Sequence, residues 1–411
     1  MIIIMDIDFL HYHRTQFSTD VLFSWYCKHP DQDSYICAST DSIFWPSPEW
    51  IDCAVKVFAT PLSDNGCVQQ GGRTVTLYLP HPITPEGPTP RMLDVRQDYL
   101  DTPPLGSLRM MTYNILASAY ATSAHALQEM YNYVPDPDLH LAEEYRAQLV
   151  VKELLASRAD VICLQECDQR LFVSYLLDIM KQAGYDGHFT LKDGHANDGC
   201  ASFLRRSSLH PIAYLDISYQ DIIGADARLG ALFTLKPDVR DYLVDKIGSI
   251  AQVCIAQSVQ NPAEVLLVGN THLFYHPRGC HVRILQGNAL LQVLENVRQS
   301  IVQKMSSLES TAASTGCGVN RVLSDWVGVE WGERCGVRVH DVSNRHDAFP
   351  STATTVTDSG TSVNGSTPEY SGSEVNGLRQ EAGAGGVSVS VAILGDMNSG
   401  PQSGWVEYLQ R

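Results

Sequence analysis

Residues 159–168 read ADVICLQECD, an apolar run that ends in polar side chains. The run from Val161 to Leu164 has the composition of a buried strand, and Gln165 and Glu166 follow it directly. Open α/β sheets bind ligands at the carboxyl ends of their strands, so Glu166 stands where a site is expected. A carboxylate there is a natural ligand for a hard divalent cation. Taken alone, however, Glu166 is equally explained as an ordinary charged residue after a strand.

Three further segments repeat this arrangement of polar side chains after an apolar strand. Asn114 lies in TYNIL, His272 in VGNTHL, and Asp396 and Asn398 in LGDMNS. In an extended chain Asp396 and Asn398 point to the same side, where an acid could orient a water and an amide could hold a phosphoryl oxygen. Each segment alone also fits a structural role, as a turn asparagine, a satisfied histidine or an Asp-x-Asn turn. The four segments together, in this order, are a much more specific signal of a functional site than any one of them.

The fold class follows from the pattern around these segments. From Leu108 onward, apolar runs alternate with segments of helical periodicity, which predicts a layered α/β domain. The predicted elements are strands at Leu108–Ile115, Asp160–Leu164, Val265–Val268 and Val387–Leu394, and helices at Leu141–Ser157, Arg170–Ala183 and Val282 to about Val302.

The sequence pattern predicts two domains. Residues 1–105 carry short β-branched and aromatic runs at Val21–Cys27, Trp50–Thr60 and Arg73–Leu79, which predict a small β-rich domain. The Pro-rich tract Pro80–Pro90 has the composition of a linker. Residues 106–411 form the predicted catalytic domain. Residues 305–386 interrupt it and are predicted to be a flexible insertion, because Ser, Thr and Gly dominate from Ser351 to Gly386.

Composition limits the classes of function. The 411 residues are 44% hydrophobic and 18% charged, as in an ordinary globular protein. A formal net charge of −17 argues against a protein that coats nucleic acid, but a carboxylate metal site can act on RNA from an acidic body. Eleven cysteines, an odd number without metal-finger spacing, indicate free thiols and a reducing compartment.

With these residues in view, the sequence resembles the endonuclease/exonuclease/phosphatase superfamily. Within that superfamily it is similar to the mitochondrial 2′-5′ phosphodiesterase and deadenylase branch, from about Leu108 to the C-terminus apart from the insertion. The Asp198–Phe203 segment looks like the one that precedes a core strand in deadenylase-type members. The motifs that carry the resemblance are Tyr113–Leu116, Leu164–Glu166, Asn270–Leu273, Gly395–Ser399, His276–Gly279 and Val282–Gln286.

The resemblance implies a fold and a set of roles. The fold is an α/β two-sheet sandwich flanked by helices, with the active site at the strand ends. Glu166 would bind Mg²⁺, with Mn²⁺ as an alternative. The roles at the reacting phosphate would fall to Asn114, His272, Asp396 and Asn398 as catalytic residues, with Arg278 and Arg283 as substrate contacts.

The expected function is metal-activated hydrolysis of 2′-5′ oligoadenylate or of poly(A) 3′ ends, with a strict 3′-5′ deadenylase as the alternative enzyme. The expected partner is the RNA or oligoadenylate substrate, with no membrane, and the resemblance implies a mitochondrial location, with the cytoplasm as the alternative. The family's closing Asp-His pair does not follow Asn398 in this sequence. The alternative outside the enzymes is therefore a truncated or catalytically impaired member that acts as a binding or scaffold protein.

Overall fold

The computed structural model describes residues 21–41, 43–63, 67–68, 73–79, 81–84, 106–194, 196–312, 336–341, 376–378 and 388–398. Its contacts divide the chain into two compact units. The first comprises the described residues of Met1–Thr102, Ser118–Arg158 and Arg170–Ala183. The second comprises those of Pro103–Ala117, Ala159–Gln169 and Gly184–Arg411.

The first unit contains the small β-sheet that the N-terminal pattern predicts. Its four antiparallel strands lie in the order β2-β1-β3-β4 and enclose a core around Trp25, Phe44 and Val57. The alternation of buried and half-exposed residues along β3 is the period of two expected when one face of a sheet is buried. The strands are β1 (Val21–Lys28), β2 (Ile36–Ser39), β3 (Ala54–Pro61) and β4 (Val75–Tyr78).

The segments of the first unit that follow residue 117 carry helices. The longest of these helices, α3, buries Val151 and Leu154 and ends at Arg158, whose backbone adopts a left-handed conformation that closes the last turn. A π-helical turn at Ala126–Met130 precedes it, and another at Phe172–Leu176 lies between α4 and α5. The helices are α1 (Ser118–Ala121), α2 (Pro137–His140), α3 (Glu143–Ser157), α4 (Gln169–Leu171, at the boundary of the units) and α5 (Leu177–Gln182).

The second unit contains two sheets that pack face to face. One has four strands in the order β5-β6-β8-β7, and the other has six in the order β12-β9-β10-β11-β14-β13. Two pairs are parallel, β5 with β6 and β11 with β14, and these pairs carry the polar strand ends. The strands are β5 (Met110–Asn114), β6 (Val161–Asp168), β7 (Tyr185–Leu191), β8 (Asp198–Arg205), β9 (Leu209–Ser218), β10 (Ile250–Ser258), β11 (Glu264–His272), β12 (Val337–Asp341), β13 (Asn376–Leu378) and β14 (Ser388–Asp396).

The space between the two sheets is apolar in one part and polar in another. The apolar part is a cluster that includes Val161, Cys163, Cys254, Val268 and Leu394. Because successive inward positions on a strand are two residues apart, the same strands also present polar side chains into this space, toward the strand ends that carry Glu166 and His272. The inward polar residues are Gln165, Ser202, Gln252 and Asn270.

Helices cover the outer face of the six-stranded sheet. Their apolar side chains and those of β9, β10 and β11 form one cluster, which includes Ile217, Val253, Leu267, Leu290 and Leu294. The helices are α6 (Tyr219–Ala225), α7 (Gly230–Leu235), α8 (Pro237–Asp245) and α9 (Cys280–Ala312), with a 3₁₀ turn at Ala227–Leu229. Among the described residues, no helix combines the length and apolarity that spanning a bilayer requires.

The predicted fold class is confirmed, because helices flank a two-sheet sandwich and a small β-rich sheet precedes it. One detail of the prediction is wrong, because Asp198–Phe203 does not precede a core strand but lies within β8. Within the predicted insertion at 305–386, the described residues include the last turns of α9 and two strands, β12 and β13, and its flexibility stays a prediction. The rest of that insertion and most of the Pro80–Pro90 tract lie outside the described residues. The domain boundary near residue 105 stays a prediction.

Candidate active site

The polar ends of β5, β6, β11 and β14 meet at one place in the second unit. The Asn114 side-chain amide donates to Glu166 Oε1 at 2.9 Å and to Asp396 Oδ2 at 3.0 Å. His272 Nε2 lies 3.9 Å from Glu166 Oε1 and 3.8 Å from Asp396 Oδ2. Segments separated by up to 282 residues therefore place two carboxylates, an amide and an imidazole in one cluster.

The backbone of this cluster is unusual. Glu166, Leu116 and Asn398 have φ values of 52°, 58° and 47°, in the left-handed region that residues other than glycine rarely adopt. The register of β6 shifts between Leu164 and Cys167, which is the point where the strand carries Glu166. Such conformations cost free energy and persist where the surrounding structure imposes them, as at functional sites. The bulge turns the Glu166 carboxylate toward Asn114 and the backbone amide of Ala117, which donates to Glu166 Oε2 at 3.3 Å.

His272 is held as a neutral imidazole. Burial lowers its pKa below the ordinary value, and the Lys192 charge lowers it further, against the opposite effect of Asp396, Glu166 and Asp198. Lys192 itself is ion-paired with Asp198 inside the protein. The Nδ1 atom of His272 is buried without a hydrogen-bond partner among the described residues. A neutral imidazole carries one N–H group, which can donate a hydrogen bond to a phosphoryl oxygen.

The lowered pKa of His272 predicts a pH dependence of stability in a chelator, without divalent metal. Below a pH of about 6.5 the unfolded chain protonates this histidine more readily than the folded chain does. The stability linked to His272 is therefore complete above that pH and is lost as the pH falls, by at most about 1.4 kcal/mol per pH unit. Urea unfolding of the wild type and of His272→Gln at pH 8 and pH 5.5 should show the larger loss in the wild type. Equal losses would contradict the prediction.

Gly395 allows β14 to deliver Asp396 beside β11. Its φ is +150°, and a Cβ atom there would lie 2.0 Å from the carbonyl oxygen of Thr271. Since that oxygen belongs to the paired strand, it cannot move away cheaply. A side chain at residue 395 would separate β14 from β11 next to His272.

Gly395→Ala is accordingly expected to destabilise the protein by about 3 kcal/mol or more, through backbone strain and the clash with β11. Gly230→Ala is the matched control, because Gly230 begins α7 with φ −55° and a Cβ there meets nothing within 4 Å. This control should be neutral or stabilising by up to about 1 kcal/mol. Chemical unfolding of both variants tests the pair, and similar effects at the two positions would refute the assignment of strain to Gly395.

The loop after His272 is fixed by side chains from the first turns of α9. Arg283 Nη1 donates to the carbonyl oxygens of Phe274 and His276, at 3.0 and 2.7 Å. The Gln286 side chain accepts from the Phe274 amide at 2.9 Å. Arg283 is buried, so the structure gives it a role in holding this loop and offers no support for the direct substrate contact predicted from sequence. Arg278 is exposed on the same loop, where a contact with substrate stays a prediction.

Asn398 also departs from the expected geometry. Its side-chain amide donates to the Leu273 carbonyl oxygen at 2.8 Å, and its backbone N–H donates to Asp396 Oδ1 at 2.9 Å. The expectation that Asp396 and Asn398 point to the same side assumed an extended chain, and the left-handed φ of Asn398 breaks that assumption. In this structure Asn398 orients Asp396 and ties β14 to the loop after His272.

Sequence reasoning missed the polar network beneath the site. Gln165 Nε2 donates to Asn270 Oδ1 at 2.8 Å, which joins the residue before Glu166 to β11 across the sandwich. Asn270 Nδ2 in turn lies within hydrogen-bond distance of two backbone carbonyls and of Ser202 and Gln252. Gln165 and Asn270 stand at inward positions next to apolar residues, which is the signal that could have identified them.

Comparisons with known proteins find relatives that align with part of the chain. 2′,5′-Phosphodiesterase 12 of Rattus norvegicus is 28% identical over 312 residues, which are 72% of this chain and 50% of the relative. Carbon catabolite repressor protein 4 homolog 1 of Arabidopsis thaliana is 29% identical over 278 residues, 60% of this chain and 44% of the relative. The chain thus spans half or less of the length of these relatives. No family model matches it.

Among solved structures, ANGEL2, a 2′,3′-cyclic phosphatase, aligns with a TM-score of 0.37 at 23% identity, covering 46% of this chain and 48% of that one. Over part of its length, the chain is therefore similar to the 2′,5′-phosphodiesterases and to the carbon catabolite repressor 4 homologues.

Proposed function

We propose that this chain is a divalent-metal-dependent phosphodiesterase that hydrolyses 2′-5′ oligoadenylate or the 3′ ends of poly(A). The observation that carries the proposal is the pairing of two carboxylates, Glu166 and Asp396, through the Asn114 amide and opposite the neutral His272. Acids and amides arranged in this way suit a phosphate diester, because they can hold a cation, a water and the phosphoryl oxygens at once.

The residues present fit a hard divalent cation. Glu166 and Asp396 supply carboxylate oxygens, the ligands that Mg²⁺ prefers together with water and substrate oxygens. The hydrogen bonds that these two carboxylates accept come from the neutral amides of Asn114, Ala117 and Asn398, which leave two neighbouring negative charges only partly compensated. Glu166 would hold Mg²⁺ or Mn²⁺. When bound, the cation would neutralise charge on the phosphoryl oxygens and favour attack by water.

The protein's own residues divide the remaining work. Asp396 is oriented by Asn398 and Asn114 and would accept a proton from the attacking water. His272 would donate to a phosphoryl oxygen as negative charge develops in the transition state. Asn114 would keep the two carboxylates apart at a fixed distance. Attack in line would break the bond from phosphorus to the 2′ or 3′ oxygen of the penultimate nucleotide, and the terminal nucleotide would leave with a 5′ phosphate.

The substrate class is proposed from the relatives. The rat relative is named a 2′,5′-phosphodiesterase, and a Candida albicans relative is named a 3′-5′-exoribonuclease subunit Ccr4. Arg278, exposed on the loop after His272, is a candidate contact for a substrate phosphate. A mitochondrial location is proposed from the same resemblance, with the cytoplasm as the alternative, and fractionation of cells that express the tagged chain would separate the two.

Hydrolysis of 2′-5′ and 3′-5′ triadenylate by this chain, with Mg²⁺, with Mn²⁺ and in a chelator, tests the proposal. We expect metal-dependent release of the terminal nucleotide, and the faster of the two substrates gives the linkage preference. Release of product in the chelator would refute metal dependence. Absence of product from a chain that is folded by circular dichroism would refute hydrolysis by this polypeptide, and substrate binding would then favour the role of a binding protein.

A further inference from the structure

A second cluster of metal-ligand side chains lies apart from the candidate active site, at one edge of the sandwich. The two oxygens of Asp216 take one histidine each: His188 Nε2 lies 2.6 Å from Oδ1, and His340 Nε2 lies 2.7 Å from Oδ2. One ligand atom from each of the three side chains lies within 4.8 Å of the other two. The proposed function assigns no role to any of them.

We propose that His188, Asp216 and His340 form a binding site for a divalent transition metal of the zinc class. Two imidazoles and one carboxylate are a common zinc ligand set, and three protein ligands leave a fourth tetrahedral position for water. The set also favours zinc over Mg²⁺, because Mg²⁺ is reluctant to take imidazole nitrogen. The candidate active site, with its two carboxylates, has the opposite preference.

The strand arrangement explains why these three residues converge. His188 lies on β7, an edge strand of the four-stranded sheet, and His340 lies on β12, an edge strand of the six-stranded sheet. Asp216 lies on β9, and its direct partner on β12 is Arg338, two residues before His340. Asp216 and His340 are therefore diagonal neighbours on the same face of their sheet. His188 reaches them from the opposite sheet and stacks on Tyr214.

The surroundings suit a metal ligand set. Thr190 donates to Asp216 Oδ1, and Gln252 donates to Thr190 at 2.8 Å, so the carboxylate is fixed from inside the sandwich. Hydrogen-bonded carboxylates of this kind orient metal ligands. The side chain of His188 is 6% exposed and that of His340 is 36% exposed, so a metal and its water can enter from the His340 side. Arg338 is exposed. Burial raises the pKa of Asp193, and the positive charge of Arg338 opposes that rise.

Only a small rearrangement separates the present geometry from a tetrahedral site. Zinc bonds of about 2.0–2.1 Å to nitrogen and oxygen place ligand atoms about 3.3 Å apart. The observed separations of 2.6 and 2.7 Å are those of hydrogen bonds, so the imidazoles must withdraw by about 0.6 Å and present lone pairs in place of N–H groups. Because His340 is on an exposed edge strand, it can make this shift. A bound metal would fasten β12 and β7 together at an edge where the two sheets otherwise end.

The test measures the zinc content of the protein. The protein is first stripped of metal with a chelator and then dialysed against zinc and excess Mg²⁺, which fills oxygen-rich sites. We expect about one tightly bound zinc per chain in the wild type. His340→Ala and Asp216→Asn should lose it or bind it about tenfold or more weakly. Two controls should keep it: His210→Ala, which removes an exposed histidine from the same strand as Asp216, and Glu166→Gln, which alters the candidate active site.

A second measurement keeps the test independent of activity and of folding defects. Zinc should raise the Tm of the wild type and of His210→Ala by about 5 °C and leave that of His340→Ala unchanged. Cobalt substituted for zinc should give a tetrahedral visible spectrum only in proteins that retain all three ligands. Equal zinc content in the wild type and His340→Ala would overturn the proposal. So would a wild type that binds no zinc, in which case the cluster is a hydrogen-bonded clamp.

Discussion

Replacing Glu166 with glutamine is expected to lower the rate of triadenylate hydrolysis about 10³-fold, with little change in stability. The amide keeps the shape of the side chain and one oxygen that can accept the hydrogen bond from Asn114, while the hydrogen bond from the Ala117 backbone to the second oxygen is lost. It removes the negative charge that would hold the cation. Stability should change little, because relief of the repulsion between the neighbouring Glu166 and Asp396 charges offsets that loss. Single-turnover assays at saturating Mg²⁺ and urea unfolding measure the two effects.

Glu264→Gln is the matched control for this prediction. Glu264 is an exposed glutamate on β11, the strand that carries His272, at the opposite end of that strand. Its substitution should leave the rate within about twofold of the wild type, since exposed charges far from a site contribute little. If Glu166→Gln hydrolyses triadenylate at the wild-type rate, Glu166 does not hold the metal. A comparable loss in both variants would point to a general electrostatic effect of the acidic chain.

Replacing Asn270 with leucine is expected to destabilise the protein by about 4 kcal/mol. Asn270 is fully buried, and its amide group joins the two sheets by bonds to Gln165, to Ser202 and to the carbonyl oxygens of Leu164 and Ala201. Leucine has a similar volume but satisfies none of these groups. Each donor or acceptor that remains buried without a partner costs about 1–3 kcal/mol. Chemical unfolding measures the loss.

A control in the apolar part of the same interface separates the loss of hydrogen bonds from a change of packing. Val268→Ala shortens a buried side chain on the same face of β11 without removing any hydrogen bond. It should cost about 2 kcal/mol, less than Asn270→Leu. If Asn270→Leu costs less than Val268→Ala, the polar network does not hold the sheets together. In that case its connection to Gln165 would have to be explained by function.

The sequence was sufficient for the elements with a clear hydrophobic period. Helix α3 was predicted at Leu141–Ser157 and observed at Glu143–Ser157, because its apolar residues repeat at helical spacing. Strands that end in Asn114, His272 and Asp396 were recognisable as apolar runs with a polar end. By contrast, β7 and β9 contain His188 and Asp216 within apolar surroundings, and they were missed because strands that bury neighbouring residues, polar ones included, on both faces lack a clear period.

The local patterns also could not give side-chain directions. Asn398 was expected to face the same side as Asp396, yet its left-handed backbone turns its amide to Leu273. Arg283 was expected at the substrate because arginine binds phosphate, yet it is buried and donates to loop carbonyls. Both outcomes depend on which backbone groups lack partners once the strands are paired. Spacing along the chain carries no information about that.

By itself, the sequence determined the residue types at the strand ends and the elements with a clear hydrophobic period, since period and motif order are properties of the chain. The tertiary structure alone decided which of those residues meet. It brought Asn114 between Glu166 and Asp396, 52 and 282 residues away, and it brought His340 to Asp216 across 124 residues. The physical reason is that strand pairing and sheet packing fix distances between remote segments, and every buried polar group must then find its partner among them.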